Sequence, residues 1–586
     1  MFSRFSAGLS LALVAASAFS AQPCFADNPI IQTKYTADPA PMVHNGTLYL
    51  YTSHDEDNAT GFTMYNYLLY STTDMVNWTD HGFVAGVKEP YKTFKWADGN
   101  NAWAPQVVFR NDKFYMYVPT PKGGRMVIGV ATSDKPTGPF VDAIGAPLID
   151  NPKSTVDIDP TVFVDTDGQA YLYWGHQPPL FYVKLNSDMV SYSGGIVELP
   201  RIQTYEEGPW FWGRDGKYYL AFASTCCPEG IGYAMSDKPT GPWTFKGSIM
   251  DGDQRSSGNH PGIVDYKGNS YVFGFNYNVQ LQRENKRIGE RRSVAVEKMT
   301  YAADGTIAKL PFWSNTGPEQ VEALNPYVQT EAETIAWAWD VKTEDCSEGG
   351  MDVTAIENGD YIKVKGVDFG AGATSLDVRV ASAGSGGKIE VHLDSQTGKL
   401  VGTCAVANTG GAQTWATKTC DIADASGKHD VFFVFTGGSG SLFNFNWWKF
   451  HGAPSVDAGV DGRAGGDGGT SGNGGSAGSA GTGGKGGAGG EASGGAGTGG
   501  APNAGGAGGS GGAGASGGAT AGATSSGGKA GGQSGTGGAA GGGVGPSAGN
   551  SGCSCDLGQS ASNGVTAGGI LLGIALLVRR RRRHQR

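Results

Sequence analysis

Three carboxylates and a histidine stand at matched places in a repeated pattern. Asp38 lies in ADPAP, Asp159 in IDPTV, Glu207 in EGPWF and His260 in HPGIV; Ala104, in WAPQV, fills the remaining copy. Each stands eleven or twelve residues before a tyrosine, namely Tyr49, Tyr115, Tyr171, Tyr219 and Tyr271 in chain order. Turns are often rich in Asp, so one such residue would signify little, and solvated Asx-type turns are the plain alternative. Like charges brought to one point repel and raise each other's pKa unless they have a use. Converging carboxylates suit glycoside hydrolysis. One protonated carboxyl donates to the leaving oxygen, and one carboxylate activates water or attacks the sugar. A third tunes the acid's pKa and orients it.

Bringing these residues together requires a fold that repeats. A polar turn followed by an aromatic strand recurs five times: NGTLYLY at 45–51, NDKFYMY at 111–117, DGQAYLY at 167–173, DGKYYLA at 215–221 and KGNSYVF at 267–273. SDKPTGPF at 133–140 echoes SDKPTGPW at 236–243, and STTDMVNW is a degenerate third copy. Each unit reads as a hairpin. Five four-stranded units of about fifty residues are what a β-propeller needs. Equivalent positions at the entry to its innermost strands then ring the axis. The sequence predicts an all-β chain with a five-bladed β-propeller over 28–325; a β-sandwich is the competing reading.

Residues 327–453 alternate in short strands (YIKVKGVDF, SLDVRVAS, KIEVHLD, HDVFFVF, FNFNWWKF) and predict a β-sandwich or jelly-roll module. Residues 454–552 are Gly/Ala/Ser-rich, cannot bury a core, and predict a disordered spacer. At 553–586 follow Cys553-Ser-Cys555, an uncharged stretch at 564–578 and RRRRRHQR. That stretch is shorter than the roughly 20 residues that span a bilayer, and the arginines favour the cytoplasmic side. Residues 1–26 read as an export signal, with Arg4, an apolar run at 7–19, and candidate cleavage motifs Ala18-Phe19-Ser20 and Cys24-Phe25-Ala26. A short membrane anchor is the alternative there. With 44 Lys+Arg against 54 Asp+Glu, the chain lacks the electrostatic footprint of a nucleic-acid or phosphate binder. Its eight cysteines agree with export. Cys404 and Cys420 are expected on neighbouring strands and so as a disulfide; Cys226-Cys227 reads as a structural pair or as buried thiols.

ADPAPMV, DIDPTVFVDTDGQAYLYWG and EGPWFW resemble the three signature blocks of glycoside hydrolase family 43, whose members are five-bladed propellers. The resemblance implies an inverting mechanism with Asp38 as general base, Glu207 as general acid and Asp159 as pKa modulator. It makes His260 the axial histidine of the channel, near a calcium or a water cluster. Trp103, in NAWAPQ, is the candidate sugar platform, with a core tryptophan as the alternative. His54 and Asp55 are candidates for bonding sugar hydroxyls, and Arg292 resembles a family arginine that reaches the site from the last blade. The second domain resembles carbohydrate-binding module family 6, from TEAET through GDYIKVKGVDFG and TGGAQTW to FNFNWWKF. That implies a structural calcium near Glu331 and Glu333, a sugar hydrogen bond from Asn444, and a sugar contact at Tyr361. The family's usual aromatic after TGG is here Ala412, and losing a stacking ring weakens binding. The tail resembles myxobacterial surface-sorting tags, with an uncleaved tail anchor as the alternative.

The expectation is a secreted hydrolase, displayed at the cell surface and touching the membrane only through its C-terminal tail. Its expected partner is a plant cell-wall polysaccharide, arabinoxylan or arabinan, and its expected action is removal of arabinofuranosyl side chains. β-Xylosidase or arabinan-degrading action are the near alternatives, and a non-catalytic glycan-binding surface protein is the distant one. Calcium is the expected structural metal; no organic cofactor and no nucleic acid are expected.

Overall fold

In the computed structural model, residues 24–256 and 259–452 are described. Most of the expected export signal, the expected spacer and the expected C-terminal tag lie outside the described residues. Apolar–polar alternation and Gly/Asn turns produce hairpins throughout. In the first, Asn45 and Gly46 both take positive φ, 49° and 79°, as a tight two-residue turn between twisted strands requires.

The hairpins assemble into five antiparallel blades. The first comprises Tyr35–His44, Thr47–Asp55, Met64–Thr72 and Trp78–Gly86. The second runs from Gln106–Arg110 to Val141–Asp142, the third from Thr161–Val164 to Tyr192–Glu198, and the fourth from Tyr205–Arg214 to Thr244–Met250. The fifth has three strands, Gly262–Tyr266, Asn269–Asn276 and Ser293–Met299. The N-terminal segment closes the ring on it. Ile30 N–H donates to Val294 O at 3.0 Å, Thr36 N–H to Arg292 O at 2.9 Å, and Asn28 Nδ2 to Val296 O at 3.0 Å. The repeat tyrosines all fall on second strands. The five-bladed propeller read from the repeats is therefore the observed fold.

Residues 330–452 form a β-sandwich around one apolar core that includes Val353, Val364, Leu376, Phe433 and Trp448. Cys404 and Cys420 link neighbouring strands of it, and Cys226 is bonded to Cys227. The sandwich is fused to the propeller by hydrogen bonding. Its segment Thr334–Ile335 pairs antiparallel with Trp78 and Thr79, making a fifth strand on the first blade. Beside it Lys34 Nζ meets Asp80 at 2.9 Å, Asn77 Nδ2 donates to Lys365 O at 2.9 Å, and Lys363 Nζ meets Asp27 at 2.7 Å. Ala26, in the second candidate cleavage motif, is fully buried, and its N–H donates to Pro318 O at 2.7 Å. Among the described residues no helix is long and apolar enough to cross a membrane.

Candidate active site

The ring of chemistry is built on bulges. In the first blade, Ala37 pairs with Ser53 and Ala40 with Tyr51, so Asp38 and Pro39 oppose a single residue. In the fourth, Glu207 pairs with Ala223 and Trp210 with Ala221, so Gly208 and Pro209 do the same. Such a bulge re-aims a side chain. Asp38, Asp159 and Gly208 all take left-handed φ, 51°, 58° and 59°, and Asp tolerates that region better than most residues. The matched positions are thus Asp38, Asp159 and Gly208. Glu207 stands one residue earlier, which corrects the equivalence drawn from spacing. Gly208 is required where it stands, because a Cβ there would lie 2.7 Å from Cγ of His260.

His260 sits among the three carboxylates. Its Nδ1 is 3.3 Å from Asp38 Oδ1, and its Nε2 is 3.3 Å from Glu207 Oε1 and 3.8 Å from Asp159 Oδ2. Burial favours the neutral ring, but the charges of Asp159, Asp38 and Glu207 outweigh it and push the imidazole up to about 10. His260 is therefore a cation with both nitrogens engaged.

Arg292 is the second buried cation. Its Nη1 lies 3.0 Å from Asp38 Oδ1, while Nε and Nη2 form a fork with Asp55 at 2.9 Å each. Asp55 also accepts the Arg292 backbone N–H at 2.8 Å and is completely buried. Burial works against ionised Asp38, but Arg292 and His260 prevail and hold its carboxyl below the ordinary value of 3.8. Asp159 behaves oppositely. Burial, with the charges of Glu207 and Asp38, raises it to about 7 against the pull of His260 and the Gly208 N–H, which it accepts at 3.0 Å. Glu207, also opposed by burial, is held below its ordinary value by His260 and His176. One oxygen of Asp159 and one of Glu207 lie within 4.8 Å of each other. Glu207 keeps 17% of its side chain exposed, against 4% for Asp38 and 3% for Asp159, so it presents the accessible carboxyl.

Other sequence-predicted residues fall differently. Asp55 is no sugar ligand, because its oxygens are committed to Arg292. His54, on the alternate face of the same strand, packs at 5.4 Å from Phe83 with Glu56 beside it at 3.4 Å and does not join the ring. Trp103 is half-buried and adjoins Ala104, whose backbone lies against the Asp38 carboxylate. Tyr67 Oη donates to Trp103 O at 3.0 Å and steadies that segment. Sequence reasoning missed His176, whose Nε2 is 3.3 Å from Glu207 Oε2. Its only signal was its place directly after the block ending YLYWG.

Residues 26–307 match the family model described as glycosyl hydrolases family 43, and residues 331–452 that of carbohydrate binding module (family 6). Over 480 residues the chain is 36% identical to the arabinoxylan arabinofuranohydrolase of Bacillus subtilis (strain 168), covering 72% of this chain and 92% of that one. The chain belongs to glycosyl hydrolase family 43. This family 43 glycosidase is also 36% identical over 478 residues to the arabinoxylan arabinofuranohydrolase of Paenibacillus polymyxa, covering 72% of this chain and 74% of that one. A crystal structure of the Bacillus subtilis family 43 arabinoxylan arabinofuranohydrolase, in complex with cellotetraose, superposes with a TM-score of 0.65 at 36% identity, covering 73% of this chain and 97% of that one.

One ligand atom each of His260, Asp159 and Glu207 lie within 4.8 Å of one another, a grouping that could hold a cation, though calcium takes mainly oxygen ligands and would meet a ring nitrogen there. In the family 6 module, Glu333 offers a buried oxygen that a cation could take. Oε2 of Glu333 is buried with no hydrogen-bond partner. Burial, with the charges of Glu331, Asp80 and Asp352, raises the Glu333 carboxyl well above its ordinary value, and burial raises Glu331. Two hard-oxygen donors held away from their ionised state are what a cation would stabilise. Adding calcium is expected to raise the melting temperature by about 5 °C, with Glu333→Gln abolishing the increment. A calcium-independent melting curve would refute this assignment.

The module's predicted sugar residues are not gathered. Tyr361 lies 5.7 Å from Phe432, on a strand far from that of Asn444 in the sheet order. The Asn444 amide donates to Glu344 at 2.7 Å and to Asp352 at 3.0 Å, and Gln413, beside Ala412, also donates to Asp352 at 2.8 Å. The expected sugar-bonding amide is here hydrogen-bonded to the protein's own carboxylates.

Proposed function

We propose that this family 43 glycosidase removes arabinofuranosyl side chains from arabinoxylan by an inverting mechanism. The observation that carries the mechanism is the placement of Asp38 and Glu207 on opposite nitrogens of His260. Because those nitrogens diverge, the arrangement suits the roughly 6.5–9.5 Å spacing of an inverting acid and base. The substrate reading draws on the two arabinoxylan arabinofuranohydrolases named above.

Asp38, kept ionised by Arg292, takes a proton from a water whose oxygen bonds to the anomeric carbon. Glu207 gives a proton to the glycosidic oxygen as its bond to that carbon breaks. Asp159 shares the proton with Glu207: in the empty site it rests on Asp159, and it passes to Glu207 when a leaving oxygen needs it. Asp159 also braces the Gly208 bulge that presents Glu207. Glu331 and Glu333 hold a structural calcium in the module, away from the reaction. The signal read at residues 1–26 directs export, and 553–586 retain the protein at the cell surface.

The pH profile follows from the signs. Asp38 titrates below its ordinary value, so kcat/KM falls on the acid side only below the usual carboxylate range. The Asp159–Glu207 pair loses its proton near 7, so kcat/KM falls about tenfold per pH unit above that. Neutralising Asp159 as Asn removes a repelling charge and lowers Glu207 further. The alkaline limb must then move to lower pH, and a shift upward would discard Asp159 as modulator. Release of phenol from aryl arabinofuranoside, followed by NMR of the first-formed anomer, tests the reading. Turnover of aryl xyloside alone would replace it with β-xylosidase action, and retained configuration would remove the inverting mechanism.

A further inference from the structure

A cavity of about 310 Å³ opens at the seam of propeller and module. One wall is the end of the helix Asn278–Glu284, with Gln282 and Arg283; the other is the module segment from Trp339 to Lys342. Trp339 is 47% exposed and is the only tryptophan among the exposed large apolar side chains of the described residues. Its backbone pairs with Tyr361 while its side chain is left in the cavity wall.

The cavity is firmly built. Gln32 Oε1 accepts the Ala338 N–H at 3.0 Å, and Arg283 Nη2 donates to Gln32 O at 2.7 Å, which ties the two walls together. Lys342 Nζ pairs with Asp57 at 3.0 Å. This places the cavity relative to the catalytic ring. Asp55 grips Arg292, and Asp57, two residues further on, grips Lys342. The helix and Arg292 likewise belong to one connection, between the last two strands of the fifth blade. The cavity therefore lies on the active-site face.

Its chemistry is that of a sugar site. An exposed indole face receives the C–H face of a pyranose ring, and Gln282, Arg283 and Asp340 supply donors and acceptors for hydroxyls. Arg283 and Lys342 are offset by Glu284 and Asp340 in the same wall, which disfavours an anionic ligand. We propose that the cavity is a remote subsite, in which a xylose ring of the polymer backbone rests on Trp339 while a side chain occupies the carboxylate ring. This rests on the arabinoxylan reading above.

The test compares the full chain with Trp339→Ala and Trp339→Phe. The ratio of kcat/KM on arabinoxylan to kcat/KM on aryl arabinofuranoside is expected to fall about tenfold in Trp339→Ala, with most of it recovered in Trp339→Phe. A ratio within twofold of wild type, or equal loss on both substrates, would overturn the subsite. Titration calorimetry with xylohexaose is the second readout. The subsite requires about tenfold weaker binding by Trp339→Ala, and equal affinity removes it. Should wild type release nothing from aryl arabinofuranoside, the substrate reading fails, and the calorimetric comparison alone decides the subsite.

Discussion

Glu207→Gln is expected to lower kcat on arabinoxylan by about 10²- to 10⁴-fold, the contribution of a positioned general acid. Gln is isosteric and can keep contacts with His260 and His176, 3.3 Å away on either side. It also removes a charge that His260 and His176 stabilise, so the melting temperature should fall slightly while the fold stays intact. What it cannot do is give a proton to the leaving oxygen. The loss should accordingly shrink on aryl arabinofuranosides whose phenol is acidic enough to leave unaided. A variant with near wild-type rate on the polymer would end the assignment of the acid. A loss equal for good and poor leaving groups would transfer Glu207 from proton donor to binding.

The largest effect on stability is expected at Arg292. It is the counter-ion to Asp38 and Asp55, both buried. Arg292→Met strands two carboxylates in the interior, and breaking a buried pair in this way costs about 3–5 kcal/mol. Urea denaturation should show that loss, or expression should fail. Arg292→Lys keeps the charge but not the two-pronged fork with Asp55, and it keeps the site assayable. With Arg292 weakened, Asp38 titrates higher, so the acid limb of kcat/KM must move to higher pH. An acid limb that stays put while activity falls would make Arg292 a substrate ligand rather than the residue that holds the base ionised.

Much of this was legible in the sequence because a propeller repeats itself. The five tyrosines gave the blades, and the residues before each proline gave the ring. Spacing alone misplaced Glu207 by one residue, since a bulge shifts register without changing the count to within one. Asp55 was visible as an acidic residue at a hairpin end, but its partner lies 237 positions away, and only closure of the ring brings the two together. His176 carries no repeat signal, being set beside Glu207 by the loop between the second and third strands of the third blade. In the module, GDY and FNFN each pointed to a sugar contact, and the fold sets Tyr361 and Asn444 on strands that are far apart in the sheet order. Local motifs survive such a comparison; long-range partnerships need the fold.

The strand Thr334–Ile335 has a consequence for descent. By chain it belongs to the module, and by hydrogen bonding to the first blade. A gene rearrangement that severed the two domains near residue 327 would leave Trp78–Gly86 as a bare sheet edge, an invitation to pair with other chains. It would also strip Lys34 and Asp80 of Thr343, the third member of their buried cluster. Propeller and module are therefore not cassettes that shuffle independently. Selection acts on them as one inherited body, and a recombinant that exchanges the module must carry a matching first blade with it.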